Sequence, residues 1–173
     1  MEFNTNKIYT YKKGDELYTP VKAIKPLIKY IPEGSVIWEC ADTVNSDSNI
    51  HQVAHDNNIS TYGTSIHKGI DFLKCEKLPS DEITHIVTNP PYSLKNEFLQ
   101  KCYDFNLPFA LLLPIQTLDT NTRWEMFSKY GIEIMVYNRR VRYIGSNGSP
   151  PFASAWFCKG ILPNQIVFEN LEL

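Results

Sequence analysis

The chain has 173 residues, 43% hydrophobic, 13% aromatic and 21% charged, enough to bury one core and too few for two. A net charge of −2 excludes a global basic field, so any contact with nucleic acid must be local. No apolar run reaches the roughly 18 residues of a membrane span, the opening MEFNTNKIYTYKKGDE has no signal-peptide core, and the four cysteines (Cys40, Cys75, Cys102, Cys158) form no C-x-x-C pair, which together point to a reduced, cytoplasmic protein with cysteines as small core residues.

The first thirty residues carry Lys7, Lys12, Lys13, Lys22, Lys25 and Lys29, which read as a phosphate track or as a soluble tail and helix face. Pro20 suits the first position of a helix over 20–30. VIWECA (36–41) predicts a strand, and 48–57 a helix behind a Ser/Asp-rich cap region. That helix carries His51 and His55 four apart, but Gln52 stands where a zinc-protease helix needs Glu, so they read as exposed helix histidines. ISTYGT (59–64) predicts a strand, and His67-Lys68-Gly69 a turn after it, with Lys68 read as a phosphate contact or, in preference, as part of a solvated turn. THIVT (84–88), FALLLP (109–114) and IEIMVYN (132–138) predict three more strands. Helices are predicted over 94–105, capped by Ser93, and over 121–130, behind Asp119, Thr120 and Asn121.

Several of these strands lack alternation, as expected of strands buried on both faces. Strands alternating with helices predict an α/β fold with a mostly parallel, doubly wound sheet. The chain then changes character. NRRVRYI (138–144), a Gly/Ser/Pro turn (145–151) and FASAWFC (152–158) read as strand, loop, strand, a C-terminal antiparallel pair. Arg139, Arg140 and Arg142 are the densest basic cluster, and strand alternation puts Arg140 and Arg142 on one face. They read as phosphate contacts or as charges guarding a sheet edge. Trp38, Trp124 and Trp156 read as core or rim residues. With no internal repeat and no linker, one domain over 1–173 is the simplest organisation, with an N-terminal arm at 1–19 and a possible recognition insertion at 139–151.

The most informative stretch is THIVTNPPYSLKNEF (84–98). A strand ends at Thr88 and a helix begins near Lys95. Between them Asn89 is pushed out of the helical region by the proline after it, and Pro90 and Pro91 fix φ over two positions. In an open α/β sheet ligands sit beyond the carboxyl ends of the strands, where Asn89 stands. Its side-chain oxygen and the Pro90 carbonyl are two acceptors beside the aromatic ring of Tyr92. Such a corner suits a flipped base, holding its amino group and stacking its ring. The bland alternative, a rigid strand-to-helix turn with a buried tyrosine, is weakened by the strand, corner and helix occurring together.

TNPPYS resembles the catalytic motif of amino-group DNA methyltransferases, in the N-P-P-Y form typical of N6-adenine enzymes. DELYTP (15–20) is similar to the F/Y-x-T-P element that opens many of them, and GIDFL (69–73) to the D-F element that contacts the cofactor's adenine. The ending, from NRRVRYIGSNGSPPFASAWFC to LPNQIVFENL, resembles small phage- and prophage-type adenine methyltransferase-like proteins, and the likeness spans nearly the whole chain. The resemblance implies a Rossmann-like fold, S-adenosylmethionine as cofactor, and methyl transfer to adenine N6 in nucleic acid, DNA before RNA. It implies catalytic roles for Asn89, Pro90, Pro91 and Tyr92. It places Tyr18, Thr19, Pro20, Glu39, Cys40, Asp42, Ser65, Asp71, Phe72 and Asn89 around the cofactor, and Ser93, Lys95, Arg139, Arg140 and Arg142 against nucleic acid, with no metal.

Two positions depart from the family pattern. The first strand should run into a glycine-rich turn, yet 42–49 is DTVNSDSN, without a glycine. The second strand should end in an acid for the ribose hydroxyls, and Ser65 stands there. Asp42 or Asp47 would then meet the cofactor differently, or the pocket is remodelled. The chain has no room for a separate target-recognition domain outside 139–151. A second reading therefore stands beside the enzyme: a methyltransferase-like binding protein without transfer activity, a phage-encoded decoy or partner of a host system.

Overall fold

The computed structural model describes residues 17–144 and 152–172. Seven strands form one sheet: β1 (Val36–Glu39), β2 (Ser60–Gly63), β3 (His85–Thr88), β4 (Phe109–Pro114), β5 (Glu133–Tyr137), β6 (Ser154–Lys159) and β7 (Ile166–Glu169). Their order is β2-β1-β3-β4-β6-β5-β7. Neighbours pair in parallel except β6, which runs antiparallel to both β4 and β5.

The apolar runs lack alternation because both faces of the sheet are covered. Ile37, Val87, Ala110, Leu112, Met135 and Trp156 pack on one side with α1 (Val21–Ile28) and α2 (Asn49–His55). Trp38, Ile86, Leu111, Leu113, Ile134 and Phe157 pack on the other with α3 (Lys95–Phe105) and α4 (Asn121–Tyr130). The period-2 geometry of a strand thus sorts one hydrophobic run into two cores. No helix among the described residues is long and apolar enough to cross a membrane.

Three local expectations are corrected. Pro20 caps α1 from one residue outside the helix, in an extended conformation. Ser93 lies inside a 3-10 turn, Tyr92–Leu94, that runs straight into α3, so it is not the cap. NRRVRYI is not a strand: beyond β5 it forms one isolated bridge, Ile144 to Tyr18, and the antiparallel strand β6 pairs with β4 and β5 instead. β7 was not anticipated; its outward Ile166 and Phe168 are exposed, so it lacks the buried run that marks the other strands. Residues 1–16 and 145–151, which hold most of the expected arm and the tip of the expected insertion, lie outside the described residues.

The strand order reverses between β1 and β3. The chain steps outward from β1 to β2, then crosses back to β3 and β4 on the other side. This switch point is where an open α/β sheet leaves a crevice. The residues that end β1 and follow β3, Glu39 and Asn89, therefore face a common space.

Candidate active site

A cavity of about 240 Å³ opens at the switch point. Its floor is Glu39 and Asn89; the turn after β1 supplies Thr43, Asp47 and Ser48, and the first residue of α2 supplies Asn49; the segment before α1 supplies Leu17, Tyr18 and Thr19; and Ile144 closes the rim. Three distant segments meet here through one backbone and one side-chain hydrogen bond. Ile144 N donates to Tyr18 O at 3.0 Å, and Asn49 Nδ2 donates to Thr19 O at 2.8 Å.

Asn89 is oriented by its partner. Its Nδ2 donates to the Leu17 carbonyl at 2.6 Å. A carbonyl only accepts, so the amide nitrogen must face Leu17 and the oxygen must face the other way. That Oδ1 is buried and has no hydrogen-bond partner among the described residues. Buried acceptors are rarely left empty, and Asn89 is one of the residues that line the cavity.

Glu39 is the second polar group on the floor, only 2% exposed. Thr88 Oγ1 donates to its Oε1, the Ala41 N–H donates to the same oxygen at 3.3 Å, and Ser48 Oγ donates to Oε2 at 3.2 Å. Burial pushes its carboxyl up to about 8; the hydrogen bonds oppose the shift and nearby Asp42 adds to it. The folded chain therefore holds this proton more tightly than the unfolded one. The stabilisation is complete below the ordinary value of 4.5 and is lost as pH rises towards about 8. Glu39→Gln keeps a neutral side chain of the same shape. Unfolding curves across this range should show wild-type stability falling relative to the variant as pH rises, and parallel curves would contradict this account of Glu39.

The glycine-free turn has its own scaffold. Asp42 points away from the cavity, its side chain fully buried. It accepts from Lys68 Nζ at 2.5 Å and from the Thr43 N–H at 2.8 Å, and His51 Nε2 lies 3.0 Å away. His51 Nδ1 contacts Thr61 Oγ1 at 2.8 Å, and Lys68 also reaches Ser46 Oγ. Ser46 takes the left-handed conformation a glycine would ordinarily occupy, with φ 56°. Thr43 Oγ1 bonds Asp47 Oδ1 across the turn. Space for this cluster comes from the neighbouring strand: a Cβ on Gly63 would lie 2.4 Å from Asp42 Oδ2 and 2.9 Å from His51 Cε1. The missing freedom at 42–49 is matched by bare backbone at Gly63.

Glu39, Asn89, Tyr18 and Thr19 are thus brought together. Cys40, Ser65, Asp71 and Phe72 are not on the cavity wall. Cys40 and Phe72 belong to the second core, where Phe72 meets Trp38 edge-on at 5.1 Å and stacks on Phe98 at 4.9 Å. Asp71 caps the following 3-10 turn by accepting from Leu73 N at 3.1 Å. Ser65 is 4% exposed, and its Oγ has no partner among the described residues. His51 and Lys68, expected on a helix surface and in a solvated turn, are half-buried members of the Asp42 cluster; His55 is exposed, as expected. Asn49 and Ile144 were missed. Asn49 had a local signal, following a capping serine at the end of the turn, whereas Ile144 arrives through a long-range bridge that leaves no local pattern.

Beyond the corner, Pro90 is buried and Tyr92 half-buried. The Tyr92 hydroxyl lies 2.5 Å from that of Tyr143, and its ring meets Phe152 edge-on at 5.6 Å. Lys95 Nζ donates to the Tyr92 carbonyl at 3.1 Å, while Ser93 is exposed. In the 139–144 segment Arg139, Arg140, Arg142 and Ile144 are exposed and Val141 and Tyr143 buried, so Arg140 and Arg142 do share an outward face.

No protein-family model and no curated protein matches the chain. Solved structures do. One is the methyltransferase subunit of a type I restriction-modification system from Streptococcus thermophilus, at TM-score 0.61 and 14% identity, covering 90% of this chain and 47% of that one. Another is a putative class I S-adenosylmethionine-dependent methyltransferase from Listeria monocytogenes, at TM-score 0.60 and 11% identity, covering 92% and 67%. The chain therefore has the class I methyltransferase fold. It spans about half the length of the streptococcal subunit.

Proposed function

We propose that the chain is an S-adenosylmethionine-dependent methyltransferase that acts on the N6 amino group of adenine in nucleic acid, DNA before RNA. The observation that carries this reading is Asn89: a proline-fixed corner at the sheet's switch point, on a residue that lines the cavity and whose buried side-chain oxygen has no partner among the described residues. The fold shared with methyltransferases supports it, as does the streptococcal neighbour, whose name places it in a restriction-modification system.

The residues present fit the cofactor in kind. A carboxyl, an amide and hydroxyls suit the polar amino-acid part, and Tyr18 and Ile144 offer an apolar rim. The described walls enclose less than the roughly 300–1,000 Å³ of a ligand cleft, so they hold part of such a molecule. When bound, the cofactor would supply an electrophilic methyl group on a sulfonium.

Asn89 Oδ1 and the Pro90 carbonyl would accept hydrogen bonds from the amino group. This localises its lone pair and turns it toward the cavity. Tyr92 would stack on the extruded base. The nitrogen is the nucleophile and its proton leaves late, so no base need act before attack, and catalysis is positioning and electrostatics. Ser93, Arg139, Arg140 and Arg142 are exposed and would contact the phosphate backbone.

The second reading, a methyltransferase-like binding protein of phage origin without transfer activity, is favoured by one feature. The first turn is braced by the Asp42 cluster and the Thr43–Asp47 bond where the family has open glycine backbone. Tritiated methyl transfer to mixed-sequence DNA and RNA separates the two. Incorporation into DNA supports the enzyme; none into either polymer supports the binding protein.

A further inference from the structure

The two prolines fix the backbone that carries Tyr92, but a tyrosine ring still turns about two side-chain bonds. The ring needs a second anchor if it is to meet a base in one orientation. The structure supplies one. Tyr143 donates its hydroxyl hydrogen to Ser154 Oγ at 2.8 Å. A phenol has one hydrogen, so in the 2.5 Å contact between the two tyrosines Tyr92 is the donor. The chain runs one way, Tyr92 to Tyr143 to Ser154. It ends at the first residue of β6, which is paired with Pro114 in the middle of the sheet. Tyr143 and Ser154 are 4% and 3% exposed, so water does not compete for these bonds. Phe152 braces the ring from its edge.

Resting on the proposed function, we propose that Tyr143, held by Ser154, is a positioning residue that sets the orientation of the Tyr92 ring for base stacking. Tyr143 touches no reacting atom; it acts through Tyr92. Its place in the chain adds a consequence. Arg140 and Arg142 lie on the outer face of the same short segment whose inner face carries Tyr143. Phosphate contact outside and ring placement inside are thus built on one piece of backbone.

The test uses the full chain with carbon-13 label in the tyrosine rings, the Tyr92 signals being assigned by their loss in Tyr92→Phe. Tyr143→Phe should move the Tyr92 ring signals. In steady-state methyl transfer it should raise KM for DNA about fivefold, the value of one ordinary hydrogen bond, while kcat stays within about twofold. Ser154→Ala should move the same signals in the same direction, and it decides the question if Tyr143→Phe fails to fold. Unmoved Tyr92 signals in the folded variants would overturn the proposal, as would a raised KM without any change at Tyr92. Should the wild type transfer no methyl group, the proposed function falls, and the ring signals still decide whether Tyr143 positions Tyr92.

Discussion

Asn89→Ala is expected to lower methyl transfer at least a hundredfold, because losing one preorganised partner of the reacting centre typically costs about 3 kcal/mol in the transition state. The fold should survive. The substitution removes the bond from Nδ2 to the Leu17 carbonyl, worth about 1 kcal/mol, and lowers Tm by roughly 2–4 °C. It also deletes a buried oxygen that has no partner among the described residues, which offsets part of that loss. Asn89→Asp separates the two jobs of the side chain. It keeps an acceptor toward the cavity but sets a carboxylate against the Leu17 carbonyl, two acceptors in contact unless the acid is protonated. Transfer by Asn89→Asp should exceed that of Asn89→Ala and rise as pH falls. Initial rates with labelled cofactor, measured beside melting curves, check both variants. A rate for Asn89→Ala equal to wild type would place the chemistry elsewhere.

The largest stability effect is expected from Gly63→Ala, a single methyl on an edge strand. The new Cβ would lie 2.4 Å from Asp42 Oδ2 and 2.9 Å from His51 Cε1. Neither group has room to yield. The Asp42 side chain is fully buried and tied to Lys68 and the Thr43 N–H, and His51 is tied to Thr61. Relieving the clash means parting Asp42 from Lys68, which strands a buried charge. Overpacking and the weakened pair together should cost on the order of 3 kcal/mol, or roughly 10 °C in Tm. Ser60→Ala, on the same strand but exposed, is the control and should change Tm by no more than about 2 °C. If Gly63→Ala melts with wild type, the cluster does not brace the first turn as described.

These two residues illustrate what the sequence made legible. Asn89 was readable because its constraints are local: a buried strand before it, two prolines after it, a helix beyond. The same holds for the α/β class, since strands buried on both faces leave unbroken apolar runs. Gly63 was not readable. Its need for bare backbone arises from Asp42 and His51, twenty-one and twelve residues away, and only strand pairing brings them together. Lys68 failed for the same reason: a lysine in a turn after a strand resembles any solvated lysine until its partner is known. Phe72 was assigned by likeness to a D-F element, whereas its ring serves the core between Trp38 and Phe98. Within NRRVRYI only Arg140 to Ile144 alternate in burial as a strand does, and among the described residues this stretch forms one bridge, to Tyr18; alternation by itself does not provide a pairing partner.

Isothermal titration of the full chain with S-adenosylmethionine tests the central claim most directly, that the cavity floored by Glu39 and Asn89 is a cofactor site. Saturable binding in the micromolar range is expected, about −8 kcal/mol. The affinity should tighten as pH rises towards about 8 and Glu39 gains its charge against a cationic ligand, with no such trend in Glu39→Gln. Absence of heat with millimolar cofactor, in a chain that melts cooperatively, would contradict it and leave the corner at Asn89 as part of a binding protein.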